Sequence, residues 1–215
     1  MTEALSAREA NSRKVRGALL RACGELLAEK PIDALTINEI VDGAGVAKGS
    51  FYNHFRDKES LAAAVSEAIR VEVEEKVARS NQNVTDPAYK IARGMSNFIQ
   101  FAVADPQRAV IMLRGFERLT ASNHPLNQSL QQHVREGIDA GRFRSLCDEA
   151  GMIQMIGCVY FTGLRILEQK LSPAQAIELS SKVFTLLLCG FGLEEEEAGR
   201  IVGDSARDII TGQPD

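Results

Sequence analysis

Tryptophan is absent from the 215 residues, and aromatic side chains make up 6% of them. No run of eighteen consecutive apolar residues occurs, so the sequence offers no evident bilayer span. The opening MTEALSAREANSRK lacks the apolar stretch of a secretory signal. A cytoplasmic location with no membrane partner is expected. Cysteine is scarce: Cys23, Cys147, Cys158 and Cys189 form no Cys-x-x-Cys pair, and no histidine sits at ligand spacing beside them. Three lie in apolar helical segments, which points to buried, reduced thiols. Cys147, nearer a helix junction, is the candidate for redox sensing. No metal or cofactor is expected. Positive charge is not in excess either. The formal net charge of −4 excludes a non-specific coat for nucleic acid. Residues 1–60 hold nine Lys/Arg against nine Asp/Glu, so the surplus acid lies downstream.

What the chain has instead is helical periodicity. Apolar residues make up 45%, ordinary for a globular protein. Apolar positions recur at three and four residues over most of the length, with no repeat or low-complexity tract. The first helix is expected over about 12–29, after a frayed tail at 1–11, with Val15, Leu19, Ala22, Cys23, Leu26 and Leu27 facing the core. Pro31 ends it, because the residue before a proline is pushed out of the α region. A later helix should start near Asp57 and run to about 80. Asp86-Pro87 and Ser172-Pro173 each pair a capping residue with a proline at the first helical position. The prediction is an all-α fold of about nine or ten helices. Residues 1–80 form an N-terminal domain with its connecting helix, and 81–215 a larger helical domain.

Residues 36–55, TINEIVDGAGVAKGSFYNHF, stand apart. Thr36 and Glu39 have the spacing of a capping box. Gly43, Ala44 and Gly45 permit a tight turn between two short helices, the second over about 47–54. Phe51 and Phe55, four apart, should plug its inner face. Lys48, Ser50, Tyr52, Asn53 and His54 are then left outside, and Gly49 allows close approach to a surface. Lysine, asparagine and hydroxyl groups in such a set suit DNA phosphates and base edges. An ordinary αα-hairpin is the alternative reading.

The run GVAKGSFYNHF at 45–55, followed by RDKESL at 56–61, resembles the helix-turn-helix of the tetracycline-repressor (TetR) family. The resemblance covers about residues 12–72. Ala47 departs from it, since many members carry a capping Ser or Thr there, and a phosphate contact at that position is not carried over. The resemblance implies a homodimeric, ligand-responsive transcription regulator. Its partners would be a double-stranded DNA operator, an inverted repeat, and a small-molecule effector. Tyr52, His54 and Lys58 would position the DNA backbone, with Thr36 at the cap. Lys48, Gly49, Ser50 and Asn53 would lie nearer the bases. Arg13, Lys14 and Arg16 either reach phosphate or form a solvated helix end.

Beyond residue 80, Met95, Phe98, Phe101, Met112, Phe116, Met152, Met155 and Tyr160 either line a ligand pocket or are plain core. His133 joins them as a pocket residue or a hydrogen-bonded core histidine. Met and Phe are what adaptable apolar sites use. The helices over about 149–170 and 173–191 are apolar on more than one face. Their burial is expected against a second subunit through Val183, Leu187 and Phe191. No Ser-His-Asp, metal or P-loop pattern is present, so no enzyme is expected. The alternatives are a helical protein-interaction module and a ligand-independent or redox-responsive regulator.

Overall fold

The computed structural model describes residues 2–114, 127–145 and 148–211. These are helical, with no strand among the described residues. The chain divides into two compact units between Ile69 and Arg70.

The first unit begins with α1 (Thr2–Glu29), which reaches back through the segment expected to fray. A short 3₁₀ turn at Ile32–Ala34 leads to α2 (Ile37–Ala44), α3 (Lys48–Tyr52) and the first half of α4 (Lys58–Ser80). Leu19, Cys23, Ile40, Phe51 and Leu61 are fully buried. Each large apolar side chain among them contributes about 1.5–3 kcal/mol. A β-carbon on Gly43 would meet Ala22 Cβ at 3.4 Å, so α2 packs close on α1 there. Asp57 starts α4 as expected. Its carboxylate accepts from the Ser60 N–H at 2.7 Å, and Ser60 Oγ accepts from the Asp57 N–H at 3.3 Å. The packing division falls inside α4, ahead of residue 80, and the helix itself is unbroken across it.

The second unit contains the rest of α4, then α5 (Pro87–Ala104), α6 (Pro106–Arg114), α7 (Gln128–Asp139), α8 (Glu149–Glu168), α9 (Pro173–Phe191) and α10 (Glu195–Ala206). Helix α5 is central and packs against α6 to α10. Asp86 caps it, accepting from the Ala88 N–H at 2.8 Å. Ser172 and Gln175 form a capping box at α9. The acidic run 194–197 opens α10, where carboxylates favour the positive end of the helix dipole. Arg142 clamps this end of the unit. Its Nη2 donates to Asp86 at 3.0 Å and to Glu197 at 2.8 Å.

Helices α8 and α9 are long and apolar enough, by length and composition, to cross a membrane. The same composition belongs to a helix covered on two sides. Only 33% of each apolar window is buried inside the chain. Ile153 and Phe161 on α8 and Leu186 on α9 are 60%, 67% and 72% exposed.

Candidate nucleic-acid interface and ligand cavity

In the first unit the capping box at α2 forms as the spacing predicts. Thr36 Oγ1 accepts from the Glu39 N–H at 3.3 Å, and the Glu39 carboxylate accepts from the Thr36 N–H at 2.9 Å. The Lys30 ammonium and the Thr36 donors hold the Glu39 carboxyl at about 2. Gly45 then turns the chain with φ of 65°, a left-handed conformation that suits glycine. Val46 N–H returns to Val41 O at 3.0 Å. Helix α3 follows without a side-chain cap, because Ala47 has none to offer.

Phe51 is fully buried and Phe55 nearly so, their rings 6.1 Å apart. This fixes the roll of α3. Lys48, Gly49, Tyr52 and Asn53 are exposed, with Tyr52 55% accessible, while Ser50 and His54 are half-buried. A β-carbon on Gly49 would meet nothing within 4 Å, so packing inside the chain does not require glycine there. Arg13, Lys14 and Arg16 are exposed on α1, and the Arg16 guanidinium lies 5.3 Å from the Phe55 ring centroid. Two predicted contact residues are engaged internally. The Thr36 hydroxyl serves the capping box. The Lys58 ammonium donates to the carbonyls of Asp33 and Leu35 at 3.2 and 2.8 Å, which leaves one of its three protons.

Residues 19–65 match the family described as bacterial regulatory proteins, tetR family. Residues 19–65 thus carry a tetR-family segment. The HTH-type transcriptional repressor KstR2 of Mycobacterium tuberculosis is 29% identical over 148 residues, 63% of this chain and 72% of that one. Among solved structures, RolR in complex with resorcinol is similar with a TM-score of 0.61 and 22% identity, over 90% of this chain and 95% of the other. FadR of Bacillus subtilis with stearoyl-CoA gives 0.65 and 21% identity, over 80% and 97%. These likenesses show the all-helical fold described above.

The second unit forms a partly open cavity of about 110 Å³ lined from α4, α5, α6, α7 and α8. Met95, Phe98, Met112, His133 and Met155 line it. Phe101, Met152 and Tyr160 do not. Met152 is buried elsewhere, Phe101 lies under the Arg108 guanidinium at 5.8 Å, and Tyr160 packs edge-on against Phe161. Phe116 and Cys147 lie outside the described residues.

Sequence reasoning missed the polar part of the wall. Arg70 and Glu74 from α4, Lys90 from α5 and Asn127 line the same space. The available signal was the spacing of Arg70, Val73, Glu74 and Val77, which places a charge pair on an inward stripe of α4. Arg70 Nη2 donates to Asn127 Oδ1 at 2.7 Å, and its Nε stands 3.8 Å from Glu74 Oε1. Burial pushes the Glu74 carboxyl above its ordinary range, with Arg70 opposing the shift. Lys90 Nζ pairs with Glu136 at 2.9 Å. His133 Nε2 is 3.4 Å from Ser129 Oγ. Burial, then the nearby Lys90 charge, push its pKa down.

The residues expected at a subunit contact differ in burial. Leu187 and Phe191 are 1% and 0% exposed within the chain itself, and Phe191 meets the Phe143 ring edge-on at 5.3 Å. Val183 is half-buried, and the outward face of α9 carries Leu186. Cys23 is buried, and burial pushes its thiol up to about 12, far from a reactive thiolate.

Proposed function

We propose that this tetR-family regulator is a repressor. It would bind an inverted-repeat operator in double-stranded DNA and be released by a small, mainly apolar molecule held in the second-unit cavity. One observation carries the DNA half of this reading. Phe51 and Phe55 anchor α3 from beneath, so Lys48, Gly49, Tyr52 and Asn53 face solvent together. Lysine suits phosphate or guanine, asparagine suits adenine, and Gly49 lets the helix come near the groove. The name of KstR2, a transcriptional repressor, and the resorcinol held by RolR support the repressor and effector readings.

The working unit in this reading is a cytoplasmic homodimer. Its contact uses the outward faces of α8 and α9, where Ile153, Phe161 and Leu186 stand exposed. A two-fold contact brings identical faces together and covers both helices on their second side. Two recognition helices then meet successive major grooves roughly 34–36 Å apart. The coupling route is α4, continuous from Lys58 to Ser80, whose second half lines the cavity. A coupling of about 1–3 kcal/mol through it changes operator affinity roughly 5- to 150-fold.

Selection of binding sites from random duplexes, with and without cell extract, tests the reading. The expected result is an enriched inverted repeat whose capture weakens when extract is added. Recovery of unenriched sequence would remove the operator-binding function.

A further inference from the structure

We propose that the effector carries a carboxylate and that Arg70 is the residue that reads it. This rests on the cavity being the effector site. The Arg70 side chain is 13% exposed and keeps its charge at any ordinary pH. One terminal nitrogen is satisfied by Asn127 at 2.7 Å. The other, Nη1, is buried with no hydrogen-bond partner among the described residues. Glu74 does not supply one, since its nearest approach is to Nε at 3.8 Å, too long for a hydrogen bond. A buried donor on a charged group is costly to leave unpaired, and a carboxylate's two oxygens match the guanidinium fork.

The other charges on the wall point the same way. Lys90 already pairs with Glu136 at 2.9 Å, so its charge is matched within the chain. His133 Nδ1 is a second buried nitrogen without a hydrogen bond, with Glu136 Oε2 at 3.7 Å. If Ser129 donates to Nε2, the neutral ring carries its proton on Nδ1 and offers that N–H to an oxygen acceptor. Glu74 is the ligand's competitor. It is the only acidic side chain on the cavity wall among the described residues and is 35% exposed, so it has room to turn outward when an acid takes Arg70.

The remaining wall is apolar, with Val73, Met95, Phe98, Met112 and Met155. About 110 Å³ is a small space. An apolar cavity of about 150 Å³ takes a benzene ring. The matching class is a carboxylic acid with one ring or a short branched chain, with the three methionines able to yield a little more room.

The experiment measures binding of benzoate, phenylacetate, cyclohexanecarboxylate and octanoate, each beside its primary amide, by calorimetry. The proteins are wild type, Arg70→Met, Arg70→Lys and Glu74→Gln. At least one acid should bind wild type about tenfold or more tighter than its amide. Arg70→Met should abolish that preference while keeping the amide's affinity, which also reports an intact cavity. Arg70→Lys retains charge without the fork and should lose part of the preference. Glu74→Gln should strengthen acid binding, a change opposite in sign to the Arg70 variants and not expected from structural damage. Equal binding of acid and amide, or an acid preference indifferent to both Arg70 variants, overturns the inference and leaves the effector site standing. If no acid or amide binds wild type at millimolar concentration, the inference and the effector reading of the cavity both fall.

Discussion

A β-carbon on Gly163 would lie 2.6 Å from Cε1 of Phe98. Glycine at this point of α8 lets the Phe98 ring of α5 pack flush while that ring also lines the cavity. Gly163→Ala therefore has to displace the ring. Overpacking of this kind costs about 1–3 kcal/mol, so the melting temperature should fall. Effector response should weaken with operator affinity in its absence little changed. Phe98→Ala should also blunt the response, by removing a wall rather than crowding it. Operator titrations with and without effector check both variants.

Lys48→Ala should weaken operator binding. If Lys48 meets phosphate, the slope of log affinity against log salt falls by about one unit. If it meets guanine, discrimination at one base pair falls by roughly 1–3 kcal/mol. Titrations at several salt concentrations on matched and singly altered duplexes separate the two. Lys58→Ala should act chiefly on stability, because its ammonium holds the carbonyls of Asp33 and Leu35.

The α2 cap makes a prediction about acid. Thr36→Ala should cost about 0.5–2 kcal/mol. Glu39 titrates near 2 in the folded chain, below the unfolded value of about 4.3. A depressed carboxyl stabilises fully above its unfolded pKa, and that contribution is lost as pH falls from about 4.3 towards 2. Glu39→Gln should flatten this part of the stability–pH curve. Denaturant melts between pH 2 and 7 give the comparison, and an unchanged slope would remove Glu39 from the account.

Subunit contact separates two neighbouring leucines. Leu186→Glu, on the exposed face, should give a folded monomer. Leu187→Glu buries a charge in the chain's own core and should unfold the protein. Sedimentation and circular dichroism distinguish these outcomes. Folded monomers from Leu187→Glu, with dimers from Leu186→Glu, would reverse the assignment.

The residues behind this account were unequally legible in the sequence. Phe51 and Phe55 declared their face because polar residues separate them, and Asp86-Pro87 and Ser172-Pro173 declared helix starts by their chemistry. The run 183–191 is apolar nearly all round, so its hydrophobicity carries no phase, and Leu187 could not be told from Leu186. Arg70 and Glu74 sit in a charged stretch that reads as solvated. Their burial depends on α5 and α7 packing over them, which local sequence does not encode. An acidic run such as 194–197 is more often a solvated patch, and only the fold shows it opening α10.

The most direct test concerns the face of α3. Fluorescence anisotropy on the selected duplex would compare wild type with a Lys48→Ala/Asn53→Ala double variant, their melting temperatures measured in parallel. Both side chains are exposed, so the double variant should melt as wild type does. It should lose about 100-fold or more in operator affinity, with its preference over random DNA much reduced. Unchanged affinity and preference in that variant would contradict the assignment of α3 as the DNA-reading element.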